Sequence, residues 1–124
     1  MANCSNTKIN GLLPIDFTQF SIRELSQAYD AALAADLALI GVLSRPGVEI
    51  DEVAGGWMDE QAQAFTFMCQ CIRDEMLTRS EPECSIEACM RRDVVIGYAL
   101  RCGDSTDELG KLLVDLSNVQ QKAA

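Results

Sequence analysis

The sequence predicts an all-α fold, a small bundle of about four helices that follows an apolar N-terminal arm. Two S-x-x-E sequences are typical of helix starts. Apolar residues recur with helical spacing in four segments. Hydrophobic residues make up 48% of the chain but aromatic residues only 6%, which suits helices packed on helices. A chain of 124 residues is long enough for one domain with one core. We therefore expect an arm over residues 1–20 and a single helical domain over residues 21–124.

The arm combines turn signals with apolar side chains. Asn10-Gly11 and Pro14 disfavour a regular helix. A disordered tail would carry fewer apolar residues than this segment has. We therefore expect the arm to pack against the helical domain or against a second subunit. Its apolar residues are Ile9, Leu12, Leu13, Ile15, Phe17 and Phe20.

Helix 1 is predicted to start at a capping box, with Ser21 as N-cap and Glu24 at the third helical position. Pro46-Gly47 ends it. Its C-terminal half, residues 31–43, is apolar nearly all round, which is typical of a helix buried on more than one side. Such a helix is either central or part of a subunit interface, and its two apolar faces lead us to expect a homodimer. One apolar face holds Leu25, Ala28, Ala32, Ala35, Leu39 and Val42, and a second holds Leu33, Leu37 and Ile40.

Helix 2 is predicted to begin at Asp51 or Met58, since Gly55-Gly56 leaves the start open, and to end near Arg79. Its apolar stripe is Phe65, Met68, Cys69, Ile72 and Met76.

Helix 3 is predicted to run from an N-cap at Ser85 to a C-cap at Cys102-Gly103. Residues 93–100 are β-branched enough to favour a strand, but no partner strand is predicted elsewhere, so we expect a helix. Helix 4 starts at a second capping box, Ser105 to Glu108. The predicted face of helix 3 is Ile86, Cys89, Met90, Asp93, Val94 and Gly97, and that of helix 4 is Leu109, Leu112, Leu113, Leu116 and Val119.

The charge of the chain restricts its partners. A net charge of −9 and a pI near 4.3 disfavour direct nucleic-acid binding and favour basic partners, although many acidic cytosolic proteins have no such role. Residues 1–10 lack a secretory signal. The apolar run 31–43 is too short to cross a bilayer and contains Asp36. We expect a cytoplasmic protein that binds no membrane.

The six cysteines allow several interpretations. A zinc site would use Cys69, Cys71, Cys84 and Cys89, but a one-residue gap in a helix directs the first two side chains about 200° apart. Disulfides need an oxidising compartment, so reduced thiols are expected. With no histidine, Cys-His catalysis is excluded. We expect the cysteines to act mainly as small hydrophobic residues, and we expect no metal and no cofactor.

The carboxylates give no catalytic pattern. Adjacent pairs such as Asp74-Glu75 point about 100° apart on a helix and do not form an acid–base pair. Phosphate-binding loops and nucleophile elbows are absent from the sequence. Residues 49–60 hold five acids, no base and Trp57, which suits either a solvated helix start or a docking patch. We expect a protein that is not an enzyme, and a carboxylate enzyme ranks last among the hypotheses.

With four acidic, apolar-rich helices, the apolar run 31–43 and the stretch AFTFMCQCI, the chain resembles the small all-helical bacterial antiactivators of quorum sensing, the QslA-like proteins. The resemblance implies binding to a LuxR-type transcription regulator and inhibition of it. We therefore expect a regulatory binding protein that acts through helix surfaces, and the alternative is a cysteine-based metal- or redox-sensing domain. The residues expected to contact the partner are Phe65, Phe67, Met68, Cys71, Ile72, Leu37 and Ile40.

Overall fold

The computed structural model describes residues 15–47 and 49–123, with side chains through Leu116. These residues form a small all-α bundle, which confirms the predicted fold class. A short 3-10 helix at Phe17–Gln19 precedes the first long helix. The four long helices are α1 (Ile22–Leu43), α2 (Glu52–Thr78), α3 (Ser85–Arg101) and α4 (Thr106–Ala123).

The helix starts follow local sequence signals. At α1, the Ser21 hydroxyl accepts a hydrogen bond from the Glu24 backbone N–H at 3.1 Å, and the Glu24 carboxylate accepts one from the Ser21 N–H at 3.0 Å. The same reciprocal pair starts α4 at Ser105 and Glu108. Both predicted capping boxes are therefore confirmed. At α3 the N-cap is Cys84, one residue before the predicted Ser85.

The core lies where α2 packs against α1, α3 and the end of the arm. Cys69 and Cys71 leave α2 on opposite sides, as their spacing requires, yet both are buried. The central helix of this bundle is therefore α2, and the predicted α2 stripe is confirmed at Cys69, Ile72 and Met76, none of which is exposed.

The buried face of α1 agrees with the predicted one at Leu25 and Ala32 and departs from it towards the C-terminus. It runs through Ile22, Leu25, Tyr29 and Ala32 and ends at Asp36. Beyond Asp36 the apolar run has no buried residue within this chain. The prediction that this half is buried on several sides is therefore wrong for the single subunit. The face of α1 that packs in the bundle is the one that contains Asp36.

Among the described residues, α1 is the one helix that is long and apolar enough to cross a membrane by length and composition. Core helices of soluble proteins meet the same criterion, and α1 does bury one stripe in the bundle core.

The α3 helix also turns a different face inward. Cys89 and Ile86 are exposed, contrary to the predicted face, while Arg91 is buried. The Arg91 Nε–H donates to the Met76 carbonyl at 2.8 Å, in the last turns of α2, where backbone carbonyls lack intrahelical partners. Burial lowers the pKa of Arg91. The buried residues of α3 are Ala88, Arg91, Val94, Val95 and Ala99.

The described end of the arm packs on the helical domain. Phe17 is buried, and its ring meets that of Phe20 edge to face at 5.3 Å. The Arg79 guanidinium donates to the Phe17 carbonyl at 3.2 Å and pairs with Glu75 at 2.9 Å. Packing against the domain is therefore confirmed for residues 15–20. The rest of the predicted arm, residues 1–14, lies outside the described residues.

Candidate functional site: a buried polar junction, a groove and an apolar hairpin tip

A buried carboxylate joins three helices. The Asp36 side chain on α1 is 1% exposed. Its Oδ2 atom accepts hydrogen bonds from the Thr66 hydroxyl of α2 at 2.9 Å and from the Arg101 guanidinium of α3 at 3.1 Å. Among the described residues, Asp36 and Arg91 are the charged residues that are buried as whole residues. We call Asp36, Thr66 and Arg101 the polar junction.

The surroundings of the polar junction are only partly polar. Burial raises the pKa of Tyr29 and of the Cys69 thiol, and the nearby Arg101 opposes both shifts. Burial also disfavours the charged form of Arg101, but hydrogen bonding, chiefly to Asp36, outweighs it and the pKa of Arg101 is raised. The guanidinium therefore stays charged and holds the carboxylate in place.

One acceptor of the junction has no partner. Asp36 Oδ1 is buried and makes no hydrogen bond to the described part of the chain. A buried carboxylate oxygen without a donor costs free energy, so such atoms usually have a water or a ligand beside them. Asp36 thus has one acceptor position still available.

Asp36 also lines a groove between α1 and α2. The groove has a volume of about 390 Å³. Asp59 lies on its wall, where its Oδ2 accepts a hydrogen bond from Gln63 at 3.0 Å. The lining holds two carboxylates, two amides, a hydroxyl and apolar side chains, but no basic residue. The lining residues are Asp36, Ile40, Asp59, Ala62, Gln63, Thr66, Phe67 and Gln70.

The end of the α1–α2 hairpin presents apolar side chains to solvent. We call residues 37–61 the hairpin tip. None of the described residues of the hairpin tip is buried. The same segment has one basic residue, Arg45, against the acids Glu49, Asp51, Glu52, Asp59 and Glu60. Its exposed large apolar side chains are Leu37 (54%), Ile40 (42%), Val42 (42%), Val53 (87%) and Trp57 (60%).

The seven predicted partner contacts lie in four places: the hairpin tip, the groove, a separate apolar cavity and the core. Leu37 and Ile40 are exposed on the hairpin tip, and Phe67 lines the groove beside Ile40. Phe65 and Met68 are half-buried and line a separate apolar cavity with Phe17 and Phe20, about 310 Å³ in volume.

Cys71 and Ile72 require a correction, because both are buried and offer no surface to a partner. The sequence analysis missed Val42, Val53 and the carboxylate of Asp36. A lone acid inside an apolar helix was the available signal for Asp36, since such a residue needs a partner wherever it is buried.

The cysteines within the described ranges do not gather into one site. Cys84, Cys89 and Cys102 are exposed and free, and Cys69 is buried and free. Cys71 is disulfide-bonded, so the expectation of reduced thiols is wrong for this residue in the structure. The described residues contain no cluster of three or more cysteines and carboxylates that could hold a metal ion.

Cys84 is expected to be more reactive than an ordinary thiol. As the N-cap of α3 it faces the backbone N–H groups of Glu87 and Ile86, which lower the pKa of the thiol. Labelling with iodoacetamide between pH 6 and 10, followed by peptide mass spectrometry, should give a midpoint for Cys84 below that of N-acetylcysteine. Cys69, buried and with a raised pKa, should label slowest. A Cys84 midpoint at or above that of the reference thiol would contradict this assignment.

No family model, no curated protein and no solved structure matches this chain. Its function must therefore be inferred from the polar junction, the groove and the hairpin tip themselves.

Proposed function

We propose that this chain is a non-enzymatic, acidic regulatory protein that binds and inhibits a protein partner through the hairpin tip. The partner we favour is a LuxR-type transcription regulator, in keeping with the antiactivators that the sequence resembles. The observation that supports the proposal is the group of five exposed apolar side chains on the hairpin tip. Scattered exposed apolar residues are ordinary, but a concentration at one end of a molecule is typical of an interaction surface.

The charges of the hairpin tip indicate the chemistry of the partner. The segment that carries the apolar side chains also contains five carboxylates, and Arg45 is its one base. A complementary surface therefore carries apolar residues bordered by lysine or arginine. The DNA-binding face of a transcription regulator has this basic character. Binding there would exclude DNA through competition between carboxylates and phosphates.

The same charges disfavour a second copy of the chain as occupant of this surface. A twofold dimer through the hairpin tip would bring the five acids of each subunit close to those of the other. Like charges across an interface oppose association. The homodimer expected from helix 1 therefore stays a separate proposal, and multi-angle light scattering at several concentrations measures it directly.

The hairpin tip is expected to provide most of the binding energy. A Leu37→Ser/Trp57→Ser variant should bind the regulator at least about 10-fold more weakly, because a central tryptophan commonly contributes about 2 kcal/mol or more to an interface. The control is Ile86→Ser, which also removes an exposed apolar side chain but from α3. The regulator is first captured with the wild-type chain and identified, and anisotropy of its labelled operator DNA then reports its release.

Three results would contradict the proposal. The first is capture by the Leu37→Ser/Trp57→Ser variant that equals capture by wild type. The second is a captured partner that binds no DNA. The third is operator DNA that stays bound at saturating concentrations of the wild-type chain. All three substituted residues are exposed, so we expect the helices to remain formed in each variant, and circular dichroism checks this.

A cysteine-based redox sensor is the second candidate, and the disulfide at Cys71 is the observation that favours it. Cys71 lies in the core cluster with Cys69 and Ile72 on α2. Reduction of the disulfide at Cys71 would therefore break a covalent bond at the centre of the bundle. Under this alternative, dithiothreitol changes partner affinity in the wild-type chain and leaves a Cys71→Ala variant unaffected.

A further inference from the structure

We propose that the groove between α1 and α2 binds the cationic end of an arginine or lysine side chain supplied by the protein partner. This inference rests on the proposed function, because it assigns one anchoring contact of the same interface. The groove overlaps the base of the hairpin tip, and Ile40 and Asp59 belong to both.

The first observation is the unpaired acceptor at Asp36. The residue lines the groove, its side chain is 1% exposed, and its Oδ1 atom has no donor in the described part of the chain. Thr66 and Arg101 both donate to the other oxygen, Oδ2. Oδ1 is itself buried, so a group that reaches it from the groove must be a hydrogen-bond donor. Guanidinium and ammonium groups offer several N–H donors and no acceptor.

The second observation is the charge balance of the groove. Arg101 offsets the charge of Asp36 from the α3 side and does not line the groove. Asp59 supplies the remaining negative charge on the wall, and Gln63 and Gln70 add amide oxygens. With no basic residue in the lining, a cation gains favourable electrostatic energy that a neutral donor lacks.

The third observation is the shape and polarity of the lining. Ile40, Ala62 and Phe67 provide apolar surface beside the polar groups. Arginine and lysine combine an aliphatic stem with a charged end, so one side chain can use both parts of the groove. A volume of about 390 Å³ accommodates such a side chain. A phosphate or carboxylate ligand would instead meet Asp36 and Asp59 and be repelled.

The test uses small probes that represent the side chain alone. The wild-type chain, labelled with ¹⁵N, is titrated at low salt with n-butylguanidinium, n-butylammonium or the neutral isostere n-butylurea. We expect saturable shifts of the amide signals of Asp36, Thr66, Phe67 and Gln70 with at least one of the two cations. Butylurea should give none. Equal binding of butylurea, or shifts spread evenly over all acidic surfaces, would overturn the proposal. An ordered water bound to Asp36 that neither cation displaces would also overturn the proposal.

Matched variants then separate the groove from the general acidity of the protein. Asp59→Asn and Glu60→Gln each remove one negative charge from neighbouring positions, but only Asp59 lines the groove. Asp59→Asn should weaken binding of the cation at least threefold, and Glu60→Gln less than twofold. An Asp36→Asn variant also perturbs the pair with Arg101, so the Asp59 variant carries the test. Equal effects of Asp59→Asn and Glu60→Gln would contradict a specific site.

The two proposals fail in distinguishable ways. Partner binding that is lost in the Leu37→Ser/Trp57→Ser variant but unchanged in Asp59→Asn would overturn the groove and leave the hairpin tip as the interface. Saturable binding of the cation together with failure to release operator DNA would support the groove and overturn the antiactivator function.

Discussion

An Arg101→Met variant is expected to lose about 3 kcal/mol of folding free energy, because it leaves the carboxylate of Asp36 buried without its cation. The Asp36 side chain is 1% exposed, whereas that of Arg101 is 31% exposed. The carboxylate therefore cannot turn out into bulk solvent as the guanidinium can, and among the described residues Thr66 alone remains as a hydrogen-bond donor. Urea denaturation followed by circular dichroism measures the change.

A double-mutant cycle shows whether the pair is the cause. Asp36→Leu should cost less than Arg101→Met, since the partly exposed guanidinium can turn towards solvent. The combined Asp36→Leu/Arg101→Met variant should recover most of the loss, because replacing a buried pair by apolar residues is often close to neutral. Arg23→Met, which removes a largely exposed ion pair with Glu87, should cost less than about 1 kcal/mol. If Arg101→Met costs no more than Arg23→Met, the polar junction does not contribute to stability as argued.

An Ile72→Ala variant is expected to lose about 2–5 kcal/mol of folding free energy through the cavity it leaves. Ile72 is fully buried in the core cluster on α2 and contributes nothing to the surface. The matched control is Ile86→Ala on α3, where the same atoms are removed from an exposed side chain and the cost should be below about 0.5 kcal/mol.

The same variant distinguishes core from interface. The sequence analysis placed Ile72 among the partner contacts, and the structure places it in the core. Partner affinity of Ile72→Ala, measured under conditions where the variant is still folded, should therefore equal that of wild type. A variant with wild-type stability and reduced affinity would support the earlier interpretation of Ile72 and contradict the structure.

Local signals predicted the elements of this fold well. The S-x-x-E boxes at Ser21 and Ser105 contain the whole signal for a helix start in four consecutive residues. They can therefore be recognised without knowing any distant contact. Residues 93–100 are helical in the structure, as expected, although their β-branched content favoured a strand. That prediction succeeded because a strand without a partner strand could not satisfy its backbone hydrogen bonds, whereas a helix satisfies its own.

The orientation of the helices was harder to predict. The C-terminal half of α1 is apolar on nearly all sides, so periodicity alone does not select which face is buried. The structure buries Asp36 and exposes Leu37. In α3 the buried face includes Arg91, which a hydrophobic pattern assigns to the surface. Both choices depend on partners 15 to 65 residues away, the Met76 carbonyl and the Arg101 guanidinium.

The candidate site was accessible to sequence reasoning only in part. Leu37 and Ile40 were recognised as interaction candidates because the C-terminal half of helix 1 is apolar nearly all round, and residues 49–60 because they hold five acids, no base and Trp57. The groove was not, since it forms only when α1 and α2 bring Asp36 beside Thr66. Pairings across 30 residues leave no short motif in the sequence.

The hydrogen bonds of Asp36 also restrict how the helices can slide past one another. Apolar side chains recur at every turn of a helix, so a shift of one turn, about 5.4 Å, can replace one set of apolar contacts with another. Such a shift would separate the carboxylate from both Thr66 and Arg101 and leave it buried among apolar atoms. One charged residue inside an apolar helix can thereby define a single alignment of α1, α2 and α3, which the hydrophobic contacts alone would leave degenerate.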